Sequence, residues 1–96
     1  MRQLIRTNGA VIDLPKRLAP GEAESLLAAP QALDTIVLRH MGRPTHLMVV
    51  DDTGMVDRKP VNKSATALYW QNCAKGNKPY PIHGDVLIVP ADEYRD

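Results

Sequence analysis

Two short runs of uninterrupted aliphatic residues, LMVV at 47 to 50 and VLIV at 86 to 89, set the tightest limit on how this chain can fold. A strand with one solvated face alternates apolar and polar side chains, whereas a run without alternation suits cover on both faces. VLIV therefore predicts a central strand, entered by a turn at Gly84 and Asp85, and LMVV predicts a second strand that is apolar on both sides. The means of covering them are limited. The 96 residues are 44% hydrophobic but contain no Phe, so burial must come from Leu, Val, Ile, Met and Ala. Such a length fits a single domain over residues 1–96 and buries only about two-thirds of the surface its unfolded chain exposes. Self-association would relieve that shortage, and a homodimer is the expected state.

Turn and helix signals divide the rest. Asn8 and Gly9 lie between residues 2 to 7 and 10 to 14, both of strand character, and predict a hairpin closed by a type I′ turn. From Pro20 the composition favours helix, with Pro20 in the first turn, Glu22 and Glu24 near the positive end of the dipole, Leu26 and Leu27 toward the sheet, and Pro30 as the limit. Residues 35 to 41 and 46 to 50 then read as a second hairpin around a four-residue loop, Gly42 to Thr45. Asp51 to Gly54 form a turn, and Met55 with Val56 suggests a short returning strand. Asn62 is a fitting N-cap, with Val61 before it as a staple. Ala65, Leu68, Tyr69 and Cys73 recur at helical spacing as a buried stripe, and Gly76 marks the end of that helix. The order gives an α+β fold, a small and largely antiparallel sheet of about five strands packed by two helices.

The charge balance, 12 Lys and Arg against 11 Asp and Glu, provides no global field toward nucleic acid or an anionic membrane. Cys73 stands alone, which excludes an internal disulfide, and no apolar run is long enough for a signal peptide or a membrane span. The expected compartment is the cytoplasm, without a membrane partner.

No constellation in the sequence meets the spacing that a chemical step requires. His40 and His46 would approach each other only as cross-strand neighbours around the 42 to 45 loop, and two imidazoles fall short of the about three or four ligands a zinc site needs. Cys73 falls on an apolar stripe near a helix C-terminus, where the dipole disfavours a thiolate. Asp51, Asp52 and Asp57 lack the spacing of a calcium loop and suit turn chemistry. A small hydrolase would need an open pocket holding His83 and Asp85. No cofactor is implied. Basic residues are the better candidates: Arg58, Lys59 and Lys63 gather around the start of the second helix, and Lys75 and Lys78 around its end. Arg2, Arg6, Lys16 and Arg17 would add to such a field if two copies met. The default for a charge distribution like this is an evenly solvated surface.

Three stretches, VVDDTGM at 49 to 55, KPVNKSATALY at 59 to 69 and PIHGDVLIV at 81 to 89, resemble a domain-of-unknown-function family of short proteins from phages, plasmids and other bacterial mobile elements. The resemblance covers about the last half of the chain. It implies a mobile-element origin and a non-catalytic accessory role, and it carries no catalytic residues. The expected function is that of a non-enzymatic binding or accessory protein acting as a homodimer. The alternative is nucleic-acid binding through Arg58, Lys59, Lys63, Lys75 and Lys78.

Overall fold

A computed structural model of the chain describes residues 2–28, 33–55, 57–73 and 80–93. The apolar pattern resolves into five strands and two helices: β1 (Gln3–Ile5), β2 (Val11–Asp13), α1 (Glu22–Leu27), β3 (Leu33–His40), β4 (Arg43–Asp51), α2 (Lys63–Gln71) and β5 (Val86–Pro90). The strands form one sheet in the order β2-β1-β5-β4-β3, with every neighbouring pair antiparallel. The expected α+β class holds.

The two uninterrupted runs lie side by side near the middle of the sheet, with Leu47 opposite Val89, Met48 opposite Ile88 and Val49 opposite Leu87. Their side chains point alternately to two separate cores. Met48, Val50, Val86 and Ile88 join Ile5, Leu38, Ile82 and Ala65 of α2 on one face. Val49, Leu87 and Val89 join Leu4 and the α1 residues Ala23 and Leu27 on the other. The helices therefore cover opposite faces, which is why neither run alternates.

The hairpin connections exchange the turn types that their sequences suggest. At β1–β2 the amide of Gly9 donates to Arg6 O at 3.0 Å and the amide of Arg6 to Ala10 O at 2.8 Å, so the tight turn spans Arg6 to Gly9. Gly9 alone there has positive φ, 92°, whereas a type I′ turn needs it at both central residues. Asn8 instead uses its side chain, Oδ1 accepting from the Ala10 amide at 2.9 Å. The β3–β4 connection holds only Met41 and Gly42, at φ 52° and 80°, the positive pair that type I′ demands. Arg43 and Pro44 pair with His40 and Arg39, so the expected four-residue loop becomes two residues plus a register shift at Leu38/Arg39 that leaves Thr45 without a cross-strand partner.

Helix α1 starts later than expected. Gly21 is its N-cap, which puts Pro20 outside the first turn, and Ala28 ends it at φ 50°. Asn62 caps α2 as expected. Of the predicted stripe, Ala65 is fully buried and Leu68 and Tyr69 partly so, while Cys73 is half-buried beyond the helix. Val61 is 40% exposed and pairs by backbone with His83 rather than stapling the helix. Met55 lies in a turn, and Val56, Pro30 and Gly76 lie outside the described residues.

Candidate functional site

The turn at the end of β4 and the segment before α2 form a dense polar node. Its origin is local: Asp51 Oδ1 accepts the Thr53 amide at 3.0 Å and the Thr53 hydroxyl at 3.1 Å, and the Gly54 amide donates back to Asp51 O at 3.2 Å. That leaves Asp51 Oδ2 turned inward on a side chain only 1% exposed, where Lys59 Nζ meets it at 2.6 Å. Burial pushes the Asp51 carboxyl up, but the Lys59 ammonium and the Thr53 amide and hydroxyl outweigh it and hold the group below its ordinary range. Lys59 Nζ also donates to Leu27 O at 3.0 Å and Ala28 O at 3.1 Å, the end of α1. One ammonium thus carries an ion pair and two carbonyl hydrogen bonds at once. Lys59 therefore joins the β4 turn to the negative end of α1.

The segment around residues 82 to 84 is fixed by equally specific contacts. His83 Nδ1 donates to Lys59 O at 2.7 Å, which places the proton on that nitrogen, and the Gly84 amide donates to Pro60 O at 2.8 Å. Gly84 has φ 87°, and a Cβ there would stand 3.1 Å from Lys59 Cδ. Asn62 is fully buried: Oδ1 accepts from the Ala65 amide at 3.0 Å, and Nδ2 donates to Ile5 O at 3.0 Å and Gly84 O at 3.1 Å. The Thr66 hydroxyl accepts from the Ile82 amide at 2.9 Å.

These contacts redistribute the predicted basic site. Arg58 and Lys63 are exposed, but Lys59 is turned into the node beside them, and Lys75 and Lys78 lie outside the described residues. Arg2 forms a two-toothed ion pair with Glu93, and Arg6 Nε stands 3.6 Å from Asp85 Oδ2, so both arginines near the first hairpin face carboxylates. The Arg2 guanidinium holds the Glu93 carboxyl below its usual range against a smaller opposing effect of burial.

The histidines and acids considered for chemistry are also separated. His40 stands opposite Arg43 and His46 opposite Leu38, so the two are not cross-strand neighbours. The shortened loop removes the geometry that would have brought their rings together. Asp85 accepts from the Thr7 amide at 2.9 Å and faces Arg6, and it does not line the cleft that holds His83. No group of three or more potential metal ligands occurs among the described residues. No described helix is long and apolar enough to cross a membrane.

Beside the node, a cleft of about 510 Å³ is lined by Asp34, Asp52, Tyr69, Tyr80 and His83 among others, with the two tyrosine rings 6.4 Å apart and tilted by 59°. Neither the sequence spacing of these residues nor any motif marks the cleft, because it is assembled from β3, β4, α2 and two loops. A second cavity lies on the opposite face, against α1.

This geometry defines a small α+β protein with an antiparallel five-stranded sheet and a helix on each face. No family model, curated protein or solved structure matches the chain.

Proposed function

We propose that the protein is a non-enzymatic binding protein that acts as a homodimer, with two copies joined edge to edge through β2. The observation that carries this reading is the contrast between the two edges of the sheet. On β3 three of the outward backbone groups are occupied by side chains: Asp34 Oδ1 accepts the Thr35 amide at 2.8 Å, Asn72 Oδ1 accepts the Arg39 amide at 3.0 Å, and Asn72 Nδ2 donates to Val37 O. Such cover is how a protein blocks edge pairing. On β2 the Leu14 amide bonds to Arg2 O at 2.9 Å and the Arg6 amide to Ala10 O at 2.8 Å. By the alternation of an antiparallel ladder, the amides and carbonyls of Val11 and Asp13 then point to the open side. All three β2 residues are exposed, Val11 by 53% and Ile12 by 40%.

A two-fold axis at Ile12 satisfies this edge. Val11 of one copy would exchange two backbone hydrogen bonds with Asp13 of the other, twice over, and the two Ile12 side chains would meet at the close, non-hydrogen-bonded position. A strand of three residues buries far less than the roughly 1,200–2,000 Å² of a standard interface, so the dimer is reversible and depends on concentration. The mobile-element setting in this reading rests on the likeness of residues 49–55, 59–69 and 81–89 alone, and the cytoplasmic one on the lone Cys73 and the sequence composition.

Sedimentation equilibrium from micromolar to millimolar protein tests the pairing. The wild type should shift from monomer to dimer, and Ile12→Lys, which sets two ammonium groups against each other on the axis, should remain monomeric. A strict monomer across the range, or an unchanged dimer in the variant, overturns the proposal.

A further inference from the structure

The cleft beside the β4 turn gathers carboxylates and aromatic surface, and its described lining contains no Lys or Arg. Asp34 stands opposite Val50 and two residues before Ile36, so the alternation of β3 puts its carboxylate on the α2 face with both of them. Asp52 lies two residues beyond Val50, the diagonal position to Asp34, which in a regular ladder separates Cβ atoms by about 7–8 Å. Both aspartates are exposed, and neither belongs to an ion pair among the described residues. Asp51, Asp85 and Glu93 differ, since each faces a cation. His83 adds an acceptor rather than a charge, because with the proton on Nδ1 its Nε2 carries a lone pair. Another part of the lining is aromatic. Tyr69 of α2 and Tyr80 set their rings 6.4 Å apart and tilted by 59°, which makes a corner, and Tyr80 is 64% exposed, so its ring is open to a ligand. Burial raises the Tyr69 hydroxyl above its ordinary range, and the fields of Tyr80, Cys73 and Asp34 add to the rise. The charge of Asp34 is therefore felt at this ring.

We infer that this cleft binds a guanidinium group, its edge donating to the Asp34 and Asp52 carboxylates and its flat face lying on Tyr80. Three observations carry the assignment. The volume, about 510 Å³, lies within the about 300–1,000 Å³ usual for small-ligand sites. The two carboxylates without cations are acceptors, so the ligand must donate, and a charged donor forms the stronger hydrogen bond. The aromatic corner selects among cations: a guanidinium is planar, weakly hydrated and stacks on tyrosine, whereas an ammonium is compact and strongly hydrated. Exposed carboxylates contribute little each, so the expected affinity is about millimolar. The same chemistry is presented by a free alkylguanidine and by an arginine side chain of another polypeptide. The described lining contains no residue of β1 or β2, so the site and the dimer stand or fall separately.

The test uses the full chain labelled for amide NMR and four probes: ethylguanidinium, its neutral isostere N-ethylurea, ethylammonium and Nα-acetyl-arginine N-methylamide. Ethylguanidinium should give saturable shifts at residues 34 to 36, 50 to 55, 82 and 83. Its affinity should exceed that of N-ethylurea by at least about fivefold and that of ethylammonium by about threefold. Asp34→Asn and Asp52→Asn together, which keep the shape and remove the charge, should lower ethylguanidinium affinity by about fivefold and leave N-ethylurea unchanged. Tyr80→Ala should weaken ethylguanidinium by about threefold and abolish its preference over ethylammonium. Comparable affinity of the acetyl-arginine probe would sustain the site with an arginine side chain as its ligand, and failure of that probe beside ethylguanidinium binding would sustain it with a free guanidine. If ethylguanidinium does not saturate, if it binds no better than N-ethylurea or ethylammonium, or if a folded double variant binds it as tightly as the wild type, the inference is wrong. The comparison of probes on the wild type needs no variant, so it holds even if the double variant fails to fold.

Discussion

Lys59 holds together parts of the chain that are far apart in sequence, since its ammonium binds Asp51 and the Leu27 and Ala28 carbonyls at once. Replacing it with Met removes the ion pair and both carbonyl hydrogen bonds and leaves the Asp51 carboxylate buried without its cation. The expected cost is about 3 kcal/mol, read from urea denaturation at neutral pH. Linkage gives this node a pH signature. The fold holds the Asp51 carboxyl below its ordinary value, so the unfolded chain takes up the proton first as pH falls. The stabilisation is full above the unfolded carboxylate range, about 3.9, and is lost as pH drops through the lower folded value. The stability gap between the wild type and Asp51→Asn should therefore be widest near neutrality and close in acid. Asn62 makes a second residue-scale prediction, because its cap and its two buried donor contacts can be separated. Asn62→Ala loses both and should cost about 3 kcal/mol. Asn62→Asp keeps the capping oxygen but cannot donate to Ile5 O and Gly84 O, so a melting temperature no better than that of Asn62→Ala is expected.

At the scale of elements, the two hairpins show how the same turn rule succeeds or fails with context. Asn8-Gly9 carries the type I′ composition, yet β1 and β2 are joined through a longer loop in which Asn8 bonds through its side chain. Met41-Gly42 lacks that composition and adopts the type I′ backbone, because the long β3–β4 ladder fixes where the chain must reverse. Met41 is 89% exposed at φ 52°, so it bears left-handed strain without a packing return. Met41→Asn should raise stability by about 0.5–1 kcal/mol, seen as a higher thermal midpoint. The edge of β3 gives the opposite prediction. Asn72→Ala removes the side chain that covers Val37 and Arg39, and should both lower stability by about 1 kcal/mol and produce larger species in light scattering.

For the whole molecule, the arrangement of the sheet decides which surfaces are left for a partner. The β2 edge is open and the β3 edge is covered, so pairing of two copies should protect the Val11 and Asp13 amides from hydrogen exchange as protein concentration rises, with no such change at Thr35 or Arg39. The sequence by itself determined the class of fold, the central place of VLIV, the cover of LMVV on both faces, the Asn62 cap and the Asp51 turn, since each depends on side-chain pattern or on contacts within a few residues. It did not determine that Lys59 is engaged rather than offered to a ligand, or that Asp85 pairs with Arg6. Those outcomes depend on which distant segments meet across the sheet. Hydrophobic periodicity places elements but carries no information about which polar group of one element will face another, and only the tertiary structure brings such groups within hydrogen-bonding reach.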